Sequence, residues 1–408
     1  MHLRVGELID ILSIAATAIT IIFYLYNAYN YRRYKAPKRI MSRAHPEKVT
    51  IVMPVYKESR ETFSASIESA AAQGSKLIVI GEGDDAFYSS YVRGKGGRFI
   101  PFKGTAREAF SEAMKYVHTE YVMKLDTDTV LPHDAVRKML SIMDKDVGGV
   151  GANISISLNE SIVSHCAELF ERTKELVFRS LSASKNTVII DGRGAIFRTE
   201  VIKPLLVSDE FRNATFMGRK RKLGDDAQKV SYLVKKGYRV IIDYDVKAVT
   251  KAPQTFKIFT NQLIRWSRSS YMAVFEDIRD GILLKKGRLY VFNMVYTYFI
   301  TILIGMLFLA NLYISISHHH PLLGTYSLLL RAVMSTRFNT FTTLLLYLTS
   351  FRVLSFIAGT IFTLAVFTLV SRPKKKIAYS SILAVAVVPA ASVYGAFTFW
   401  VQDKWMTR

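Results

Sequence analysis

Apolar residues in this chain are segregated rather than spread. They concentrate in residues 8–30 and again beyond Leu289, while the stretch between reads as an ordinary soluble α/β protein. Such a chain cannot close into one uniform globule, because its ends call for an apolar surrounding and its middle for water. Residues 8–30 carry no charge except Asp10, and a helix of that length spans a hydrocarbon core of ~30 Å. The run exceeds the ~7–15 apolar residues of a cleaved signal, and no small-residue cleavage site precedes the basic cluster after it. The segment is expected to be a retained anchor, its N-terminus outside and Arg32, Arg33, Lys35, Lys38 and Arg39 inside.

Two more spans are expected over residues 289–317 and 341–370. Between them Arg331 and Arg337 mark an external loop or shallow helix, and the histidines 318–320, next to Pro321, read as a polar loop rather than a metal site. The last apolar segment, 377–401, contains Pro389. It either crosses once or breaks at Pro389 into two half-helices that enter and return. The hairpin is the expectation, for a reason given by the terminal residues below.

The formal charge is +22. Its cations gather beside the apolar runs: the 32–39 cluster, then Lys285, Lys286 and Arg288, then Arg372, Lys374, Lys375 and Lys376. Positive-inside bias accounts for that placement, and without aromatics interleaved among basic residues no nucleic-acid partner is expected. The single cysteine, Cys166, excludes an intrachain disulfide and fits a reducing compartment.

From Lys48 the pattern changes to short β-branched runs followed by helical stretches. VTIVMPVY, KLIVIG, TEYVMKLD and VGGVGANISIS are strand candidates, with an amphipathic stretch over 62–73. Alternation of this kind predicts a mostly parallel sheet with helices on both faces and ligands at the carboxyl ends of its strands. The polar residues of MPVYKE and KLDTD should therefore converge. Residues 253–286 hold too many charges to span a bilayer, and their apolar and basic faces suit a membrane interface.

Three groups carry candidate chemistry. Asp126 and Asp128 flank Thr127 at a strand end, where two carboxylates can hold Mg²⁺ or Mn²⁺ on a substrate phosphate. Gly224-Asp225-Asp226 precedes an amphipathic helix, so an aspartate there can act as a base toward an attacking hydroxyl, or Asp225 can simply cap the helix. In Gln262-Leu263-Ile264-Arg265-Trp266, Gln262 and Arg265 share a helix face. Arg265 could clamp a diphosphate, and Trp266 could meet an acceptor or anchor the helix at an interface.

In this order, Met53-Pro54-Val55-Tyr56-Lys57-Glu58, the 126–128 triplet, Gly224-Asp225-Asp226 and Gln-x-x-Arg-Trp resemble a processive family 2 glycosyltransferase, the group of cellulose, chitin and hyaluronan synthases. DGRGAIFR resembles the family's Ser-Gly-x-x-x-x-Tyr-Arg acceptor-loop segment, and TFMGRKRKLGDD and the terminal Trp405-Met406-Thr407-Arg408 are similar to segments of hyaluronan synthases. The resemblance covers nearly the whole chain after Lys48. It implies a GT-A α/β domain joined to a transmembrane helical bundle with interfacial helices. The expected divisions are an anchor over 1–40, a cytosolic catalytic domain over 46–252, interfacial helices over 253–288 and a membrane region over 289–408.

The resemblance also implies roles. Tyr56, Glu58 and Glu82 would bind uridine, and Lys103 or Arg107 would reach phosphate. Asp126 and Asp128 would hold the metal on the UDP diphosphate. Asp226, with Asp225, would supply the base, while Gln262 and Arg265 would contact diphosphate. Asp191, Gly192 and Trp266 would meet the acceptor. Trp405 and Arg408 would close over the nucleotide, which needs a cytosolic C-terminus and so the hairpin at Pro389. Ile80-Gly81-Glu82-Gly83 departs from the family's Asp-Asp-Gly, Asp191 and Arg193 replace Ser and Pro, and Met406 replaces Gly.

The expected activity is extension and export of a polysaccharide from UDP-sugars at the plasma membrane, with the bilayer and the growing chain as partners. The alternative is transfer of one sugar to a polyprenyl phosphate, by enzymes that usually lack Gln-x-x-Arg-Trp. A third possibility, an inactive scaffold, gains nothing from clustered carboxylates.

Overall fold

A computed structural model describes residues 5–83, 85–317, 351–370 and 374–403. The histidines 318–320, Arg331, Arg337, the first part of the expected 341–370 span, Arg372, and Trp405 and Arg408 of the terminal motif lie outside the described residues.

The chain opens with helix α1 (Val5–Arg33), then alternates β1 (Val49–Tyr56), α2 (Arg60–Ala71), β2 (Lys76–Glu82), α3 (Asp85–Gly94), β3 (Arg98–Pro101), α4 (Ala106–Ala113) and β4 (Tyr121–Lys124). Next come β5 (Thr129–Val130), α5 (Ala135–Ser141), β6 (Val147–Ile156), α6 (Ile162–Ala183), β7 (Ala195–Arg198), α7 (Thr199–Leu206) and α8 (Asp209–Arg212). A small hairpin, β8 (Thr215–Phe216) and β9 (Arg219–Lys220), leads into α9 (Asp225–Lys235), β10 (Arg239–Thr250) and α10 (Phe256–Arg279). The remaining helices are α11 (Arg288–Val295), α12 (Thr301–Ser317), α13 (Phe351–Leu369) and α14 (Lys374–Ala396).

Local chemistry sets the boundaries. Ser59 caps α2 by accepting from Thr62 N at 3.3 Å. Thr105 and Glu108 close a capping box on α4, satisfying donors that the first turn leaves without partners. On α2, Phe63, Ile67 and Ala70 are buried at helical spacing, the stripe of a helix laid on a sheet.

The sheet runs in the order β3-β2-β1-β4-β7-β6-β10-β5. Pairs β1–β2, β2–β3, β1–β4 and β6–β10 are parallel, while β7 enters antiparallel between β4 and β6, and β5 is antiparallel to β10. Along β1, Ile51, Met53 and Val55 enter the core under α2, α3 and α5, and Val52 enters the core under α4, α7 and α9. That alternation is the period-two signature of a strand buried on both faces.

The remaining helices are joined to this unit by a third apolar cluster. It combines Phe23 and Ala28 of α1, Cys166 and Leu169 of α6, Phe259 and Leu263 of α10, Phe362 and Val366 of α13, and Ala391 of α14. Phe23 stacks on Tyr296 at 3.7 Å and meets Phe362 at 6.1 Å. Among the described residues, Leu12–Arg33 and Arg288–Leu307 are helices long and apolar enough to cross a membrane, by length and composition.

Two expectations are corrected here. Pro389 does not break the last segment, because α14 runs unbroken from Lys374 to Ala396. Proline removes one backbone donor, and a helix packed on neighbours tolerates that loss. Nor does α14 leave the α/β unit at either end. Near its start Lys376 pairs with Glu160 and Cys166 Sγ meets Ser380 O at 3.4 Å; near its end Ser267 Oγ donates to Ser392 O at 3.1 Å. The second correction concerns Lys286, counted above among the cations flanking a span. It is buried, pairs with Asp277 and donates to Ser231 Oγ at 2.9 Å.

Candidate active site

Parallel pairing of β1 with β2 and β4 brings their carboxyl ends to one edge. The register sets Tyr56 opposite Glu82 and Val52 opposite Lys124. Lys57 N donates to Glu82 O at 3.0 Å, so the two strands stay joined as they leave the sheet. Gly81 has φ +150°, and a Cβ there would stand 1.9 Å from Val55 O. The Gly-Glu-Gly departure noted in the sequence therefore supplies the one residue type that such a close approach admits. Tyr56 is exposed, and Glu58 and Glu82 are half-buried beside it.

β4 ends at Lys124, and Asp126 and Asp128 follow in a tight turn closed by Thr129 N to Asp126 O at 3.2 Å. Thr129 and Thr250 direct their hydroxyls to Asp128 Oδ1, at 3.2 and 3.4 Å. Burial, with Asp128, Asp226 and Asp191 nearby, pushes the Asp126 carboxyl up to about 7 against the pull of Lys124.

The second acidic pair opens α9. Its N-cap is Gly224, in the left-handed region at φ 72°, so Asp225 is inside the helix and not its cap. Lys124 Nζ reaches Asp225 Oδ2 at 3.0 Å and Asp226 Oδ1 at 3.3 Å. Lys229 Nζ, one turn along α9, reaches the same oxygens at 3.1 and 2.7 Å. Gly192 N donates to Asp226 Oδ2 at 3.0 Å. Burial opposes ionisation of Asp225, but Lys124, then Lys229 and Arg107, hold its carboxyl well below the usual range.

The loop 191–194 meets α10 across Arg193. That guanidinium pairs with Asp191 at 2.8 Å and Glu171 at 2.7 Å, and lies 5.4 Å from the centre of the Trp266 ring. Trp266 in turn stacks on Phe170 at 5.5 Å. Burial lowers Arg265 to about 10, with Asp126 the strongest opposing charge, then Asp225 and Asp226 beyond the repulsion of Arg193. The electrostatic coupling links both acidic pairs, the 191–194 loop and α10.

The family described as Glycosyl transferase family group 2 matches residues 121–371, more than half of the chain. The chain belongs to this family. An N-acetylglucosaminyltransferase of Azorhizobium caulinodans is 26% identical over 242 residues, 55% of this chain and 60% of that one. Hyaluronan synthase 3 of Homo sapiens is 27% identical over 180 residues, 41% of this chain and 31% of that one. The chain thus spans about a third to three fifths of these curated relatives. A solved mannosyltransferase of Pyrobaculum calidifontis, in complex with GDP-Man and Mn²⁺, superposes with a TM-score of 0.60 over 90% of this chain and 100% of that one. At 17% identity it shows the fold, a GT-A-like mixed sheet.

In this family 2 glycosyltransferase the phosphate reading of Arg107 is corrected. Its side chain is turned into the fold, where it donates to Phe211 O and Leu223 O at 3.2 Å and to Gln228 Oε1 at 2.6 Å. Arg107 therefore holds the turn before Asp225, and only Lys103 of that pair stands exposed. Arg221 completes the grip, donating to Gly224 O at 2.9 Å while both Glu276 oxygens receive its other arm.

Sequence reasoning missed Lys124, Lys229 and Glu171 as members of this site. The Lys229 signal was present, since a cation three and four residues after two aspartates faces them on a helix. Lys124 and Glu171 lie far in sequence from their partners and gave none.

Asp126 and Asp128 suit a hard divalent cation. Among the described residues no group of three or more His, Cys, Asp or Glu could hold a metal by itself. A pair of carboxylates with oxygen donors only is the arrangement Mg²⁺ shares with substrate phosphates. The upward shift of Asp126 marks negative charge that a cation there would relieve,.

Proposed function

We propose that this glycosyltransferase is a membrane-embedded, inverting enzyme that takes UDP-sugars and extends a polysaccharide, as its hyaluronan synthase relatives do by name. The observation that carries the reading is the convergence, on one sheet edge, of Asp126 and Asp128 with the Asp225–Asp226 pair and the α10 face of Arg265 and Trp266. Tyr56, Glu58 and Glu82 form the nucleoside end, where Lys103 is free to approach phosphate. Gln262 and Arg265 take the diphosphate, and Trp266, Asp191 and Gly192 border the acceptor.

The acceptor hydroxyl attacks the anomeric carbon as the sugar–phosphate bond breaks, and Asp226 receives the hydroxyl proton. Gly192 N–H and the two lysines fix that carboxylate while the acceptor approaches. Mg²⁺ or Mn²⁺ held by Asp126 and Asp128 would neutralise the leaving diphosphate. Arg265, partly stripped of water, adds a bidentate charge-assisted grip. Helix α14 returns its C-terminal end to α10, and the nucleotide-closing role proposed for Trp405 and Arg408 does not depend on a hairpin at Pro389.

Purified full chain in detergent, given UDP-N-acetylglucosamine, UDP-glucuronate or both, is expected to release UDP in a metal-dependent reaction. Asp226→Asn should lower kcat by about 10²–10⁴-fold, and normal turnover would overturn the base assignment. Sizing the product separates the readings: a long polymer supports extension, and a single lipid-linked sugar replaces it with polyprenyl-phosphate glycosylation. Release of GDP from GDP-mannose alone would overturn the uridine pocket.

A further inference from the structure

Five carboxylates, Asp126, Asp128, Asp191, Asp225 and Asp226, stand at one edge of the sheet, and a divalent cation could in principle settle among any of them. The two lysines distinguish them. Side chains of Lys124 and Lys229 are 6% and 1% exposed, and each ammonium spans Asp225 and Asp226 with contacts of 2.7–3.3 Å. Two buried cations thus face two anions, whose side chains are 18% and 28% exposed. Asp225 Oδ2 and Asp226 Oδ1 each accept from both lysines, and Asp226 Oδ2 accepts from Gly192 N.

Both lysines are buried among close neighbours. A Cβ on residue 192 would stand 2.3 Å from Lys124 Nζ, so the glycine is what admits the ammonium. Lys229 is caged by the rings of Phe110 and Phe197, at 5.4 and 5.7 Å. Asp191 is taken by Arg193 and Lys174. Asp126 and Asp128 differ: among the described residues no Lys or Arg forms an ion pair with either, and Asp128 is met by neutral hydroxyls.

We infer that Lys124 and Lys229 divide this carboxylate cluster, acting as fixed ammonium ions that exclude a divalent cation from Asp225 and Asp226 and so confine it to Asp126 and Asp128. The inference rests on the metal assignment proposed above. A divalent ion requires several unshared oxygens in its shell, and of this pair's four oxygens two already accept from both ammoniums and a third from Gly192 N. Lys124 and Lys229 are positioning residues. They keep Asp226 as a carboxylate facing the acceptor rather than as a second metal ligand.

Mn²⁺ alone, without nucleotide, titrated into purified full chain and followed by electron paramagnetic resonance, reads the division directly. Lys124→Met and Lys229→Met should each bind one more equivalent of Mn²⁺ than the parent chain, and Lys124→Arg should not. Unchanged stoichiometry in both methionine variants overturns the inference. If Lys124→Met is destabilised, Mn²⁺ should raise its Tm more than that of the parent, since a ligand bound only by the folded state stabilises it. Failure of both variants to fold even with Mn²⁺ present also overturns it. Asp128→Asn in the parent background tests the underlying metal assignment separately. The extra equivalent in Lys124→Met should vanish in Lys124→Met/Asp226→Asn whatever Asp128→Asn shows.

Discussion

Buried charge at this site is arranged so that each group has one task. Arg107 shows how far a residue's role depends on where its side chain is turned. The resemblance gave it a phosphate role, yet the residue is 2% exposed and its guanidinium gives its donors to Phe211 O, Leu223 O and Gln228. Arg107→Met would leave those acceptors unmet in the core, which costs about 1–3 kcal/mol. The expected outcome is a Tm lower by several degrees and a reduced kcat, because the Asp225 turn loosens, with the donor KM unchanged. A large rise in donor KM at constant Tm would restore the phosphate role. Asp225 and Asp226 were legible as chemistry from sequence, but their counter-ion Lys124 was not, because it lies 101 residues from Asp225 and only the fold joins them.

At the scale of elements, sequence periodicity found the strands that are buried on both faces. β1, β2, β4 and β6 are short, mostly buried runs, and all four stand where they were expected. β10, the longest strand, was missed. Its first half is buried, its second half alternates with exposed residues, and the register shifts between Asp243 and Lys247, so no single period describes it. α14 was found as an apolar segment but its path was not, since Pro389 signals a break only where neighbours do not support the helix. Cys166 offers a native reporter of that path: it is fully buried, with Sγ 3.4 Å from Ser380 O. Ser380→Trp overfills that contact, at a cost of about 1–3 kcal/mol, and should lift α14 from α6. Maleimide labelling of Cys166 in the native chain is then expected to accelerate by about tenfold or more (~1.4 kcal/mol of easier opening). Equal labelling rates in both chains would mean that α14 does not cover this cysteine.

For the whole molecule, the question is what surrounds the helices that flank the α/β unit. Large apolar side chains stand exposed on α1 (Ile22, Leu25, Tyr26), around α11 and α12 (Phe299, Met306, Tyr313) and on α13 (Leu354, Ile357, Ile361, Leu364). Scattered singly such residues would need no explanation, but their concentration on helices that pack together is a feature water does not stabilise. The same helices pack on one another through Phe23, Tyr296 and Phe362, so what they expose is the outside of an assembled bundle. The lipid surrounding proposed above would account for the surface and for the cations gathered at the ends of the apolar runs. Leu364, 61% exposed, tests it. A lysine at the centre of a spanning helix opposes insertion by about 2.5–3.5 kcal/mol, whereas the same charge on a water-facing helix changes little. Leu364→Lys is therefore expected to reduce the fraction of chain kept in the membrane pellet after alkaline carbonate extraction. Glu61→Lys, on the exposed first turn of α2, should leave that fraction as it was. Equal retention of both variants would place α13 in water and reduce the membrane attachment to α1 and the 288–317 run.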